Sequence, residues 1–196
     1  MADRAATVHR KTKETEITLT LDLDGSGKTE LETGVPFLEH MLDLFAKHGL
    51  FDLRVMAKGD VHIDDHHTVE DIAICLGTAL RRALGDKAGI RRYGHAVIPM
   101  DESLGQVAVD LSGRSHLEFR AEFPDLRVGT FATELVHEFF WKLAMEGRMN
   151  LHVLLHYGRN THHMIESLFK ALGRALDEAT RVDPRVQGIP SSKGVL

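Results

Sequence analysis

Asp64-Asp65-His66-His67-Thr68-Val69-Glu70-Asp71 decides how this chain is read, because about a hundred residues later its core returns as Thr161-His162-His163-Met164-Ile165-Glu166. Each copy reads His-His-x-x-Glu and opens an apolar helical run. On a helix, positions three and four apart share a face, so each glutamate lies beside the two histidines before it. That is a metal-ligand arrangement. Adjacent histidines point about 100° apart, however, so one pentad does not easily serve one ion, and a site assembled from both copies or across a subunit boundary is expected.

Outward from the pentads, the flanking sequence repeats as well. A shift of 97 places His40 on His137, a shift of 98 places Gly49 on Gly147 and Leu53 on Leu151, and a shift of 96 places His66, His67, Glu70 and Gly77 on His162, His163, Glu166 and Gly173. This drift is confined to loops and indicates an internal duplication. In the first half, Glu14 to Asp24 alternates with period two, and Asp24-Gly25-Ser26-Gly27 turns it into a strand over Lys28 to Thr33, which reads as a hairpin. Phe37 to His48 is helical, Phe51 to Ala57 is a strand, and the helix from His66 runs to about Leu84. The second half gives strands at His95 to Pro99 and Gln106 to Leu111. Ser115 to Phe123 follows as their hairpin partner, then a helix over Thr133 to Glu146, a strand over Asn150 to Tyr157 and a helix from His162 to about Arg181.

The expected fold is α+β. Residues 1–90 and 91–182 form two similar halves, each a roughly four-stranded sheet with two helices on one face, and 183–196 form a C-terminal tail closing the active site. Helices that cover one sheet must themselves be covered, so the economical arrangement packs them between two outer sheets in one compact domain.

Composition narrows the function. With 43% hydrophobic and 27% charged residues, the chain has the makeup of a globular protein, and a net charge of −5 offers no basic field for nucleic acid. The polar start has no signal-peptide core, and no apolar run reaches the ~18–20 residues needed to span a bilayer, so a cytoplasmic protein is expected. The one cysteine, Cys75, lies in an apolar helix and reads as packing. Thirteen histidines against two tyrosines and one tryptophan point to metal or acid–base chemistry.

Six of those histidines, His40, His66, His67, His137, His162 and His163, recur in the repeat with Glu70 and Glu166. They divide into two sites of three imidazoles and one carboxylate, a donor set suited to Mn²⁺, Fe²⁺, Co²⁺ or Zn²⁺. Arg92 and Arg114 stand beside glycines and turns where a guanidinium can grip a phosphate in fork geometry. Lys170, one turn beyond Glu166, and Lys193 in the tail can join them. His48 closes a helix, where a cation is favoured. Glu14 heads a strand as an ordinary exposed acid.

These motifs carry a resemblance. Phe37-Leu38-Glu39-His40-Met41-Leu42, Asp65 to Asp71, Asp110-Leu111-Ser112-Gly113-Arg114, His137-Glu138-Phe139-Phe140, Asn160 to Glu166 and the closing Ser192-Lys193-Gly194 are similar to the imidazoleglycerol-phosphate dehydratase family of histidine biosynthesis. The match runs from about Arg10 to Leu196. It implies a manganese-dependent hydro-lyase with two Mn²⁺ per site, working as a homo-oligomeric shell of 24 subunits with sites at subunit interfaces. By motif match the eight repeated His and Glu residues become the metal ligands. Glu14, Glu70 and Glu166 become the catalytic carboxylates. Substrate contacts fall to Glu14, His40, His48, His66, Arg92, Arg114, His162, Lys170, Ser191, Ser192 and Lys193. The reaction implied is loss of water from D-erythro-imidazole glycerol 3-phosphate to give imidazole acetol phosphate, through a dimanganese-bound imidazolate and a diazafulvene-like intermediate. Two other readings share the residues. A dinuclear hydrolase of a phosphate ester would hold its metals ~3.5–4 Å apart, and a metal-storage oligomer would need the histidines but not the arginines.

Overall fold

The computed structural model describes residues 4–196. Its first half runs β1 (Ala5–Lys11), β2 (Thr15–Asp22), β3 (Thr29–Glu32), α1 (Pro36–Gly49), β4 (Asp52–Gly59) and α2 (His66–Leu84). Its second half runs β5 (Tyr93–Met100), β6 (Ser103–Asp110), β7 (His116–Arg120), the short pair β8 (Arg127–Val128) and β9 (Phe131–Ala132), α3 (Glu134–Gly147), β10 (Asn150–Tyr157) and α4 (Thr161–Thr180). The two four-stranded sheets have the same plan, β1-β2-β4-β3 and β5-β6-β10-β7, antiparallel except for the parallel pairs β3/β4 and β7/β10.

That plan corrects two hairpins expected from the sequence. β3 does not pair with β2, nor β7 with β6; each instead pairs in parallel with the strand that follows the next helix. A parallel neighbour requires a crossover, and α1 and α3 supply it. The turn at Gly25 to Lys28 carries the chain past β2, because the Asp52 carboxylate at the head of β4 accepts the Ser26 and Lys28 amides at 2.7 and 2.9 Å. β1 lies where no strand was expected. It is a polar edge strand in which only Val8 is buried, so it shows no alternation.

α2 packs on β1 and β2, and α4 on β5 and β6, while α1 packs on α4 and α3 on α2, so the four helices lie between the sheets in one continuous core. Both cross-half contacts are built on glycine pairs. A Cβ on Gly173 would sit 2.4 Å from the Phe45 carbonyl oxygen and 3.1 Å from the Gly49 nitrogen. A Cβ on Gly77 would sit 2.8 Å from both the Leu143 carbonyl oxygen and the Gly147 nitrogen. Phe45 and Leu143 are 98 apart, as are Gly49 and Gly147. The left-handed caps that end α1 and α3, Leu50 at φ 58° and Arg148 at φ 47°, keep the same spacing. The register between these helices is therefore 98 along their whole length.

A candidate two-cluster metal centre

At register 98, His40 corresponds to Glu138, and Glu39 to His137. The side chains agree. His40 on α1 meets His162 and Glu166 on α4, all three offering ligand atoms within 4.8 Å of one another. The matching group at the α2/α3 contact is His66, Glu70 and Glu138. His137 is one position round the helix, with its ring edge-on to Phe119 at 5.2 Å between centroids. Five of the expected residues, His40, His66, Glu70, His162 and Glu166, thus meet at helix contacts between the halves, with Glu138 beside the second group, while within one chain His67, His163 and His137 turn to Asp60, Glu102 and Phe119.

Each pentad is held at the start of its helix by a side-chain acceptor just before it. Asn160 at the head of α4 accepts the His162 and His163 amides at 3.0 and 3.4 Å, and Asp64 accepts the His66 amide at 2.8 Å. The first histidine and the glutamate, four apart, then share one face. The second histidine turns away, its ring nearly perpendicular to the first, at 84° in one pentad and 79° in the other. His67 Nδ1 pairs with Asp60 and His163 Nδ1 with Glu102, both at 2.9 Å, so each second histidine is fixed by a carboxylate of its own half and its Nε2 is not used in that bond.

Each cluster holds a lysine ammonium among its carboxylates. Lys170 Nζ is 2.6 Å from Glu166, which also accepts His162 Nε2 at 3.1 Å and lies 3.5 Å from His40 Nε2. Burial pushes the Glu166 carboxyl up, but Lys170, His40 and His162 outweigh it and hold the group below its usual value. Lys142 Nζ is 2.7 Å from Glu70 and 3.4 Å from Glu138, and its hydrogen bond depresses Glu70 despite partial burial. His48 is depressed by burial and by the nearby charges of Lys170 and Arg174. A buried glutamate that gathers two imidazoles and an ammonium could hold a cation, and its nitrogen and carboxylate oxygen donors fit a divalent ion of the manganese class.

The remaining expected residues fall into two further groups. Glu14 is on the β1/β2 turn, where its amide donates to Thr12 Oγ1 at 3.1 Å, and it lines a groove with Lys13, Lys58, Asp60 and His62 on the His67 side of α2. Asp71, next to Glu70, anchors that turn by accepting from Arg10 Nε and Thr15 Oγ1. Arg92 is held fork-to-fork by Asp110 at 2.7 and 3.1 Å and donates to the Pro190 carbonyl at 2.8 Å, so the tail lies across it. Leu196 reaches the Ser112-Gly113-Arg114 turn. Ser191 Oγ accepts the Lys193 amide at 3.2 Å, while Ser192 and Lys193 are exposed. The Arg92 amide donates to Ala179 at the far end of α4. Glu166 lies thirteen residues earlier on that helix, about 20 Å at 1.5 Å per residue. One chain therefore does not bring its arginine group to its own α1/α4 cluster.

Fold and site together define a duplicated α+β protein with two His/carboxylate clusters, each with the donor set to hold a metal ion, formed between its halves. Residues 33–176 match the family model for imidazoleglycerol-phosphate dehydratase. Curated relatives of that description include one from Geobacillus thermodenitrificans, 72% identical over 193 residues that span 98% of this chain and 99% of the relative. Another, from Bacillus subtilis, is 70% identical over 187 residues, 95% of this chain and 96% of the relative. Among solved structures, the dehydratase from Staphylococcus aureus superposes with a TM-score of 0.84 at 41% identity, over 91% of this chain and 99% of that one. The enzyme of Pyrococcus furiosus in complex with (S)-C348 gives 0.83 at 39%, over 96% and 100%. The chain belongs to the imidazoleglycerol-phosphate dehydratase family, and its activity is that of a hydro-lyase.

Proposed function

We propose that the chain removes water from D-erythro-imidazole glycerol 3-phosphate to give imidazole acetol phosphate, with the two clusters as its manganese sites. The observation that carries this reading is the pair of His/carboxylate clusters, one at each cross-half helix contact, each already gathered around a cation. His40, His162 and Glu166 would hold part of one site and His66 and Glu70 part of the other, with His67, His137 and His163 completing the sites across neighbouring copies. Bound there, a divalent ion would anchor ring nitrogen and favour the deprotonated ring, whose electron density helps expel the neighbouring hydroxyl.

The chain's own groups do the rest. The bond to be broken lies beside an imidazole, so the leaving hydroxyl needs a proton donor held close to it. Glu14 takes that part, on a turn fixed by Thr12 and Asp71. The hydroxyl leaves as water with that proton, loss of the adjacent C–H proton gives the enol, and the enol tautomerises to the ketone. Arg114, Lys170, Ser191, Ser192 and Lys193 grip the phosphate, and Arg92, already committed to Asp110 and Pro190, fixes the tail beside them.

Steady-state dehydration on chelator-stripped and Mn²⁺-reconstituted protein tests the reading, alongside metal analysis of Arg114→Ala. Activity is expected to vanish on stripping and return with Mn²⁺. Arg114→Ala should raise KM at least tenfold with metal content unchanged. Turnover that survives stripping, or an unaltered KM, would refute it.

A further inference from the structure

Between the halves, the connector Gly85-Asp86-Lys87-Ala88-Gly89 touches both arms of the proposed phosphate grip. Its Gly89 amide donates to the Gly188 carbonyl of the tail at 2.8 Å, and Lys87 Nζ donates to the Leu111 carbonyl at 3.0 Å, immediately before the Ser112-Gly113-Arg114 turn. Leu111 is thereby fixed on every side. Its side chain is buried, its amide donates to the Arg92 carbonyl at 3.1 Å, and its own carbonyl is taken by Lys87. The turn that carries Arg114 therefore starts from a residue whose two peptide groups are both held.

Lys87 is an uncommon group to find there. It is only 6% exposed, and its backbone is left-handed, φ 63°, a conformation that favours glycine. Lysine is rarely buried so far unless an acid is paired with it. The hydrogen bond of Lys87 goes instead to a carbonyl, and Asp110, the carboxylate whose charge favours its ammonium, is already forked to Arg92. Burial pushes the ammonium down, Asp110 opposes that, and Arg92, Arg148 and Arg81 add to it. Arg92 and Asp110 cancel as a pair. The charge of Lys87 is left over, under the turn assigned to a phosphate.

We infer that Lys87 is a positioning residue of the phosphate site: it holds the Leu111 carbonyl so that Arg114 meets the phosphate from a fixed turn, and it keeps beneath that turn a buried positive charge for a phosphate dianion to neutralise. In a water-poor interior such a charge acts over a longer range than it would in solvent. The inference rests on the reading of Arg114 and the tail as the phosphate grip.

Its test separates phosphate from ring. Inhibition of the Mn²⁺-reconstituted protein by inorganic phosphate is compared with inhibition by imidazole, together with KM, kcat and Tm. Lys87→Met keeps the stem and removes the ammonium. It should weaken inhibition by phosphate about tenfold, as for one interaction with a charged group, and raise KM correspondingly, while kcat falls far less and inhibition by imidazole stays close to wild type. Lys87→Arg, which keeps charge and donor, should recover most of the phosphate affinity. Lys87→Gln gives the same comparison with a polar side chain if the Met variant does not fold. A role in the fold alone would move both inhibitors together, and Tm with them. Phosphate inhibition of unchanged strength in the neutral variants, an equal loss for phosphate and imidazole, or failure of both neutral variants to fold overturns the inference. A wild type that phosphate does not inhibit, or an Arg114→Ala protein inhibited as strongly as wild type, would instead refute the phosphate grip itself and the role of Lys87 with it.

Discussion

Asp52 illustrates how single carboxylates set the course of the backbone. It accepts the Lys28 and Ser26 amides, and these bonds hold its carboxyl below the usual range. A depressed acid stabilises the fold fully above its unfolded value of about 3.9 and loses that contribution as pH falls through the lower folded value. Asp52→Ala should cost about 1 kcal/mol of stability at pH 7, with the gap from wild type closing in acid. Urea unfolding at pH 7 and pH 3 measures it, and a gap independent of pH would contradict the role. Glu102 works similarly, accepting the Arg159 and Asn160 amides as well as His163, so a loop carboxylate fixes the second imidazole of its pentad. Neither role was legible in the sequence, since an isolated Asp or Glu at a turn has no pattern that names its partner. The pentads were legible because ligand spacing is written on a single helix.

Between elements, the pairing of α1 with α4 and α2 with α3 does the positioning, and glycine permits it. Gly77 and Gly173 were visible as matched residues, but their purpose was not, because close approach is a property of two helices. The strands with one buried face declared themselves by alternation. β1 did not, since its outer face is polar and only Val8 is covered. The misplaced hairpins have a related cause: a Gly-rich turn after a strand looks the same whether the next strand pairs at once or waits for a crossover helix. Gly173→Ala would drive a methyl to 2.4 Å from the Phe45 carbonyl oxygen. Such overpacking should cost about 1–3 kcal/mol, lowering Tm by several degrees for a chain of this size. Because α1 carries His40 and α4 carries Glu166, the variant should also weaken Mn²⁺ at the α1/α4 cluster while sparing the other. Calorimetry with metal titration checks both, and an unchanged Tm would mean that the helices can part without penalty.

Across the whole molecule, the groups assigned to one reaction lie apart. Arg92 and the tail gather at the C-terminal end of α4, about 20 Å along the helix from Glu166, and the rings of His67 and His163 stand nearly perpendicular to those of the cluster histidines beside them. Within a single chain the α1/α4 cluster thus lies far from Arg92 and the tail that carries the proposed phosphate contacts. A second copy that brings its arginines and the second histidine of a pentad to the first chain's cluster closes that distance, which is the physical case for an oligomer with shared sites. Metal would then join chains as well as activate substrate. Light scattering on the native protein should give a mass many times 21.9 kDa, and chelation should divide the particle into smaller, uniform species that reassemble with Mn²⁺. His67→Ala combined with His163→Ala removes the second histidine of each pentad but leaves His40, His66 and Glu166 intact, so it should reproduce the smaller species even with metal present. A particle whose mass is unchanged by both treatments would mean that the subunits are held by apolar contact alone and that these histidines serve their own chain.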